Sequence, residues 1–231
     1  MTNNTPKNDG KIRDIDIRLA FMSRNLKFFE QDGMEFVNEY GINSTNIVDL
    51  AAFDFKKNIF YGFEIKSEQD NLKRLHDQLK AYITFFQVVY VITHEKHTAG
   101  VLELLDKYDY LNKVGVMEVD QKLNFKELRR AKLYKPVYSL FIQNLDMEEL
   151  RLLSAEYNLP LTGGKDVLLG RLRKYVKLEG IYKSIKNKLY KYHVRKCPVC
   201  GSKLYYKKQG NRSGPSTYIC YKCGAVLHGK D

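Results

Sequence analysis

The first 196 residues of this 231-residue chain contain no cysteine, so no disulfide framework can support them. No run approaches the roughly eighteen uninterrupted apolar residues of a membrane span, and the N-terminus "MTNNTPKNDGK" lacks the apolar stretch of a signal peptide. A soluble, cytoplasmic protein with no membrane partner is expected. There is no internal repeat. Acidic residues are scarce in one half only. Residues 132–231 hold 7 Asp+Glu against 20 Lys+Arg, whereas residues 1–131 hold 20 against 19, giving +13 and −1 of the formal +12. Such a basic half suits a polyanion, nucleic acid above all, because each neutralised phosphate releases counterions. A lysine-rich surface that merely confers solubility is the plainer alternative.

What is present can bury a core: 44% of the residues are hydrophobic and 13% aromatic. Residues 1–11 read as a disordered tail. Ile12, Ile15, Leu19, Met22 and Leu26 recur at helical spacing and predict a helix to about Phe29. "GINSTNIVDLAAFDFKKNIFYGFEIKS" reads as two strands about a Lys/Asn turn, with "EFVNEYGI" before the first of them. Leu72, Leu75, Leu79, Ile83 and Phe86 mark an amphipathic helix, "QVVYVIT" a buried strand, "AGVLELLDKYDY" a helix and "VGVMEV" a strand. The expected fold class is α/β, a mixed sheet flanked by helices.

Glu64 and Lys66 lie in "YGFEIKS", where period-2 alternation puts them on one sheet face. If the hairpin is centred between Lys56 and Lys57, paired positions sum to 113 and Asp49 stands opposite Glu64. Glu39 is a third acid nearby. Converging carboxylates repel one another unless a cation neutralises them, and Mg²⁺ accepts a few carboxylates plus water. Such a site would hydrolyse phosphodiesters, with Lys66 orienting or helping to deprotonate the attacking water, or stabilising charge on the phosphorane. Asp54 is a rival to Asp49, although this register leaves it in the turn. The plainer alternative is a solvated sheet face on which Lys66 pairs with one acid.

Asp49, then Glu64-x-Lys66, then a helix carrying Gln78-x-x-x-Tyr82, resembles the PD-(D/E)xK, or restriction-endonuclease-like, nuclease superfamily. "VNEYGI", "VDLAAF", "GFEIKSEQDNLKRLHDQLKAY" and "VVYVITHEKH" resemble in this order a bacterial family within it, over about residues 12–131. The resemblance implies a nuclease-like domain over 12–135. It implies Mg²⁺ or Mn²⁺ at Asp49 and Glu64, with Glu39 as an added candidate, and Lys66 as the catalytic lysine. Gln78 and Tyr82 would match the helix motif of the RecB-like branch, supporting the site or touching DNA, with Arg74 a candidate to join them. Val48 stands where the superfamily often has proline.

Cys197-x-x-Cys200 and Cys220-x-x-Cys223 have the spacing of a four-cysteine zinc site, each pair followed by a glycine, Gly201 or Gly224. The resemblance is to zinc ribbons, over 195–231, and the metal would carry the fold of so small a module. Redox chemistry by the CxxC pairs is the rival. His193 and His228 read as bystanders. "MEELRLLSAEYNLPLTGGKDVLLGRLRKY" resembles a SAP module, through Leu150, Leu153, Leu159, Pro160, Gly163, Gly164, Lys165, Leu168, Arg171 and Leu172. The resemblance implies a helical DNA-binding module over 136–178, with a basic helical linker over 179–194 expected to join it to the ribbon. Lys165, Arg171, Arg173 and Lys174 are expected near phosphates; a plain helical hairpin is the alternative. The combined expectation is a metal-dependent DNA endonuclease with C-terminal DNA-binding modules, serving repair, restriction or mobile elements. The alternative is a non-catalytic nucleic-acid-binding protein on a nuclease-like scaffold.

Overall fold

The computed structural model describes residues 10–32, 34–42, 46–54, 56–134, 142–143, 145–177, 180–181, 195–200, 203–207, 216–220 and 225–229. Most of the expected tail, most of the linker at 179–194, His193, Cys223, Gly201 and Gly224 lie outside the described residues. Helix α1 (Asp14–Asp32) leads into β1 (Met34–Gly41), β2 (Ile47–Asp54) and β3 (Ile59–Lys66). Then follow α2 (Leu75–Phe85), β4 (Val88–His94), α3 (Glu95–Lys107), β5 (Val114–Val119) and β6 (Phe125–Arg129). The six strands form one sheet in chain order, parallel at β3/β4 and β4/β5 and antiparallel elsewhere. The expected mixed α/β sheet is what forms.

Two strands exceed the expectation. β1 contains Glu39, which the sequence placed ahead of the first strand. Its alternation is broken where Glu39 takes a left-handed φ of 51° and where the buried residue beside it is polar, Asn38. β6 is a polar edge strand, "FKELR", with its charged residues exposed or half-buried, so it carries no apolar signal.

The faces are filled by different helices. Ile17, Phe21 and Met22 of α1 pack on Phe36, Leu50, Phe63, Ile65 and Ile92 of one face. Leu75, Leu79, Tyr82 and Phe85 of α2, with Val101 and Leu105 of α3, cover Phe53, Phe60, Val89, Val91 and Val116 of the other. A Cβ on Gly62 would lie 2.5 Å from the Phe86 ring, so glycine is what lets the end of α2 approach β3.

The β2–β3 register is the expected one: Leu50 pairs with Phe63, Phe53 with Phe60 and Asp54 with Ile59. Asp54 caps the turn. Its Oδ1 accepts from the N–H groups of Lys56 and Lys57 at 3.0 and 2.9 Å, and Lys57 Nζ lies 3.4 Å from Oδ2. It sits at the opposite end of the hairpin from Asp49, which removes it as a rival.

Helices α4 (Met147–Glu156) and α5 (Lys165–Tyr175) form a pair. Asp146 and Glu149 close a reciprocal capping box that starts α4. Between the helices Gly163 takes φ +115° and lies against Val167, a place no larger residue fills without strain. Leu150, Leu153, Leu168 and Leu172 belong to the same core as Tyr40 and Phe85. The pair therefore packs on the sheet domain. Further on, β7 (Arg195–Lys196), β8 (Lys203–Lys207), β9 (Ser216–Ile219) and β10 (Val226–Gly229) form a second, antiparallel sheet in the order β10-β9-β8-β7.

Candidate active site and metal centre

One step beyond the Leu50–Phe63 pair, Asp49 is level with Glu64, and its Oδ2 accepts the N–H of Ile65 at 2.8 Å. Glu64 is 1% exposed and Lys66 5%. Lys66 Nζ donates to Glu64 Oε1 at 2.6 Å and to Gln78 Oε1 at 3.0 Å. Tyr82 OH lies 2.6 Å from Glu64 Oε2, to which it donates, and 2.9 Å from the carbonyl oxygen of Ile47. The i, i+4 spacing of Gln78 and Tyr82 on α2 thus meets the i, i+2 spacing of Glu64 and Lys66 on β3.

Glu39 flanks Asp49 from the other side, because β1 pairs Asn38 with Leu50 and Tyr40 with Val48. The three acids span adjacent strands, β1, β2 and β3. Glu39 Oε1 also lies 3.8 Å from Nη1 of Arg18, a buried guanidinium that bonds Asp14 and Asn38. Glu39, Asn46, Ile47, Asp49, Arg74, Asp77 and Gln78 line a cleft of about 420 Å³, whereas buried Glu64 and Lys66 are not part of its lining.

Electrostatics in the cleft favour a cation. Burial, the Glu64 charge and the Asp14 charge push the Asp49 carboxyl well above its ordinary range, more than the Ile65 N–H and Arg18 pull it down. Burial and the Glu64 charge likewise push the Tyr82 phenol upward, so it remains a neutral donor. Lys66 offsets one of the two facing carboxylates and leaves the repulsion felt by Asp49. A divalent ion would relieve that repulsion, and Asp49 and Glu64 are the residues that would hold it. Each oxygen of Glu64 accepts one hydrogen bond and keeps a lone pair for it. Glu39, Asp49 and Glu64 do not close into a tight triad. Among the described residues, the one group of three or more His, Cys, Asp or Glu with ligand atoms within 4.8 Å of one another is Cys197, Cys200 and Cys220.

Those thiols form the second centre. Cys200 Sγ and Cys220 Sγ are 3.4 Å apart, close to the about 3.8 Å edge of a tetrahedron with metal–sulfur bonds of about 2.3 Å. Cys197 and Cys220 are buried. The N–H of Cys220 donates to the carbonyl of Ala225 at 2.9 Å.

On the helical pair, Lys165, Arg173 and Lys174 are exposed. Arg171 is not held out toward solvent in the same way: its Nη1 donates to the carbonyls of Pro160 and Thr162 at 3.0 and 2.6 Å and ties down the connection. Arg18 was missed by the sequence reading. Its signal was the Asp14/Arg18 i, i+4 pair, with Arg18 one position from core-facing Ile17.

A mixed α/β sheet domain, a packed helical pair and a C-terminal cysteine centre define the class of this protein. Residues 22–207 match the family described as bacteriophage P4 protein cII, and the chain belongs to that family. Residues 191–230 match the zinc-binding domain of primase-helicase, so the cysteine centre is part of a four-cysteine zinc-binding domain. No curated protein matches the chain. Among solved structures, the SPO1766 protein of unknown function from Silicibacter pomeroyi is similar at 17% identity, over 66% of this chain and 97% of its own, with a TM-score of 0.41. Among the described residues, no helix is long and apolar enough to cross a membrane.

Proposed function

We propose that this protein is a metal-dependent DNA nuclease of the PD-(D/E)xK type. The observation that carries the reading is Lys66 Nζ, held between Glu64 and Gln78, with Gln78 and the second carboxylate, Asp49, both lining a cleft. Asp49 and Glu64 would hold the Mg²⁺ or Mn²⁺, which when bound polarises the phosphate and acidifies a water. Tyr82 fixes the rotamer of Glu64, and Gln78 fixes that of Lys66. Lys66 supplies a positive charge to the phosphate oxygens as water adds to phosphorus and the P–O bond to the leaving strand breaks. The leaving oxygen takes up a proton. Nicking of supercoiled plasmid by the full chain with Mg²⁺ or Mn²⁺, absent in Asp49→Ala, tests this.

The helical pair supports a DNA-binding, SAP-like role through exposed Lys165, Arg173 and Lys174. The match of the ribbon to a primase-helicase domain and the basic C-terminal half point toward the same polyanion. Tethering by these elements would raise the local concentration of DNA at the cleft. One observation favours the non-catalytic alternative: Glu64, Lys66 and Tyr82 satisfy one another in the interior, and neither Glu64 nor Lys66 lines the cleft.

A further inference from the structure

Tyr82, Gln78 and Arg74 form one row on α2, each four residues from the next, and the row runs from the interior to the cleft mouth. Tyr82 is 1% exposed and holds Glu64; Gln78 is half-buried and holds Lys66. Arg74 is exposed at the N-cap of α2. Its guanidinium makes no hydrogen bond or ion pair among the described residues, and it is the one cationic residue among those that line the cleft. Three acids, Glu39, Asp49 and Asp77, share that lining. Of the lining residues Arg74 alone offers an entering polyanion an exposed positive charge; Lys66, buried and bonded to Glu64 and Gln78, lies deeper than that lining and meets a phosphate only after it has entered.

We infer that Arg74 is the substrate-positioning residue of the site and takes the non-bridging oxygens of an incoming DNA phosphate in its guanidinium fork. The fork suits this task because it presents paired donors in the plane of two phosphate oxygens, and the peptide dipoles at the start of α2 add charge of the same sign. This deepens the nuclease reading and rests on it for the identity of the substrate.

The test uses the full chain in two backgrounds. In Asp49→Asn, which would not cut, the salt dependence of binding to a short labelled duplex is measured with and without Arg74→Ala. Loss of one phosphate contact lowers the slope of log K against log salt by about 0.9. In the otherwise native chain, Arg74→Ala lowers plasmid cleavage about 10- to 100-fold, as expected for one charge-assisted contact. Arg74→Lys recovers the slope but only part of the rate, and Lys80→Ala, an exposed lysine of the same helix outside the cleft lining, leaves the rate unchanged. An unchanged slope in Arg74→Ala, or an equal rate loss in Lys80→Ala, overturns the assignment. A lowered slope with no cleavage by the native chain supports the Arg74 contact and rejects the nuclease reading.

Discussion

Tyr82 OH donates to Glu64 Oε2 at 2.6 Å while Lys66 Nζ donates to Oε1 of the same carboxylate at 2.6 Å, so a helix and a strand fix one buried acid from both sides. Removing the phenol hydroxyl leaves a buried oxygen of Glu64 without its donor. Tyr82→Phe is expected to lower stability by about 1–3 kcal/mol, measured by urea denaturation, and to reduce cleavage more than it reduces DNA binding. A silent substitution would mean that the rotamer of Glu64 is set by Lys66 alone.

The Glu64–Lys66 pair gives a second prediction. Lys66→Met strands a buried carboxylate and should cost about 3–5 kcal/mol, whereas Glu64→Gln combined with Lys66→Met removes both charges and should recover much of that loss. A double-mutant cycle with additive penalties would show that the two side chains do not act as a pair.

Asp49 gives a third prediction, for pH. Because burial and Glu64 raise its pKa in the folded chain, the folded state holds that proton more tightly than the unfolded state does. The resulting stabilisation is full below the ordinary carboxylate range and disappears as pH rises through the raised folded value. Asp49→Asn should therefore match the native chain in acid and exceed it in urea midpoint near neutrality. Mg²⁺ should raise the thermal midpoint of the native chain near neutrality and leave that of Asp49→Asn unchanged. A native midpoint indifferent to Mg²⁺ would argue against a cation at Asp49.

Much of this site was legible in the sequence because its determinants are local. A short turn fixed the β2–β3 register, and i, i+2 and i, i+4 spacings placed Glu64, Lys66, Gln78 and Tyr82 on facing surfaces. The missing pieces obey longer-range rules. β1 breaks alternation at Glu39, whose left-handed backbone no pattern announces, and Arg18 reaches Glu39 only after α1 packs on the sheet. The exposed, charged β6 offers no apolar alternation. Nor does leucine spacing in α4 and α5 reveal that Leu150 and Leu168 share a core with Tyr40, whose phenol is pushed upward by burial and by Glu149 and Asp146.

The cysteine centre should contain one zinc per chain by metal analysis. Cys197→Ser is expected to weaken zinc retention and to expose the ribbon to proteolysis, because a module of this size owes its fold to the ion. Retained protection after zinc is stripped would refute a structural role.

The most direct measurement is conversion of supercoiled plasmid to nicked or linear DNA by the purified chain with Mg²⁺ or Mn²⁺, alongside Asp49→Ala and Lys66→Ala. Cleavage by the native chain alone, with both variants still binding DNA, is the predicted result. Equal activity in all three proteins, or none in the native chain with either metal, would contradict a nuclease site built on Asp49, Glu64 and Lys66.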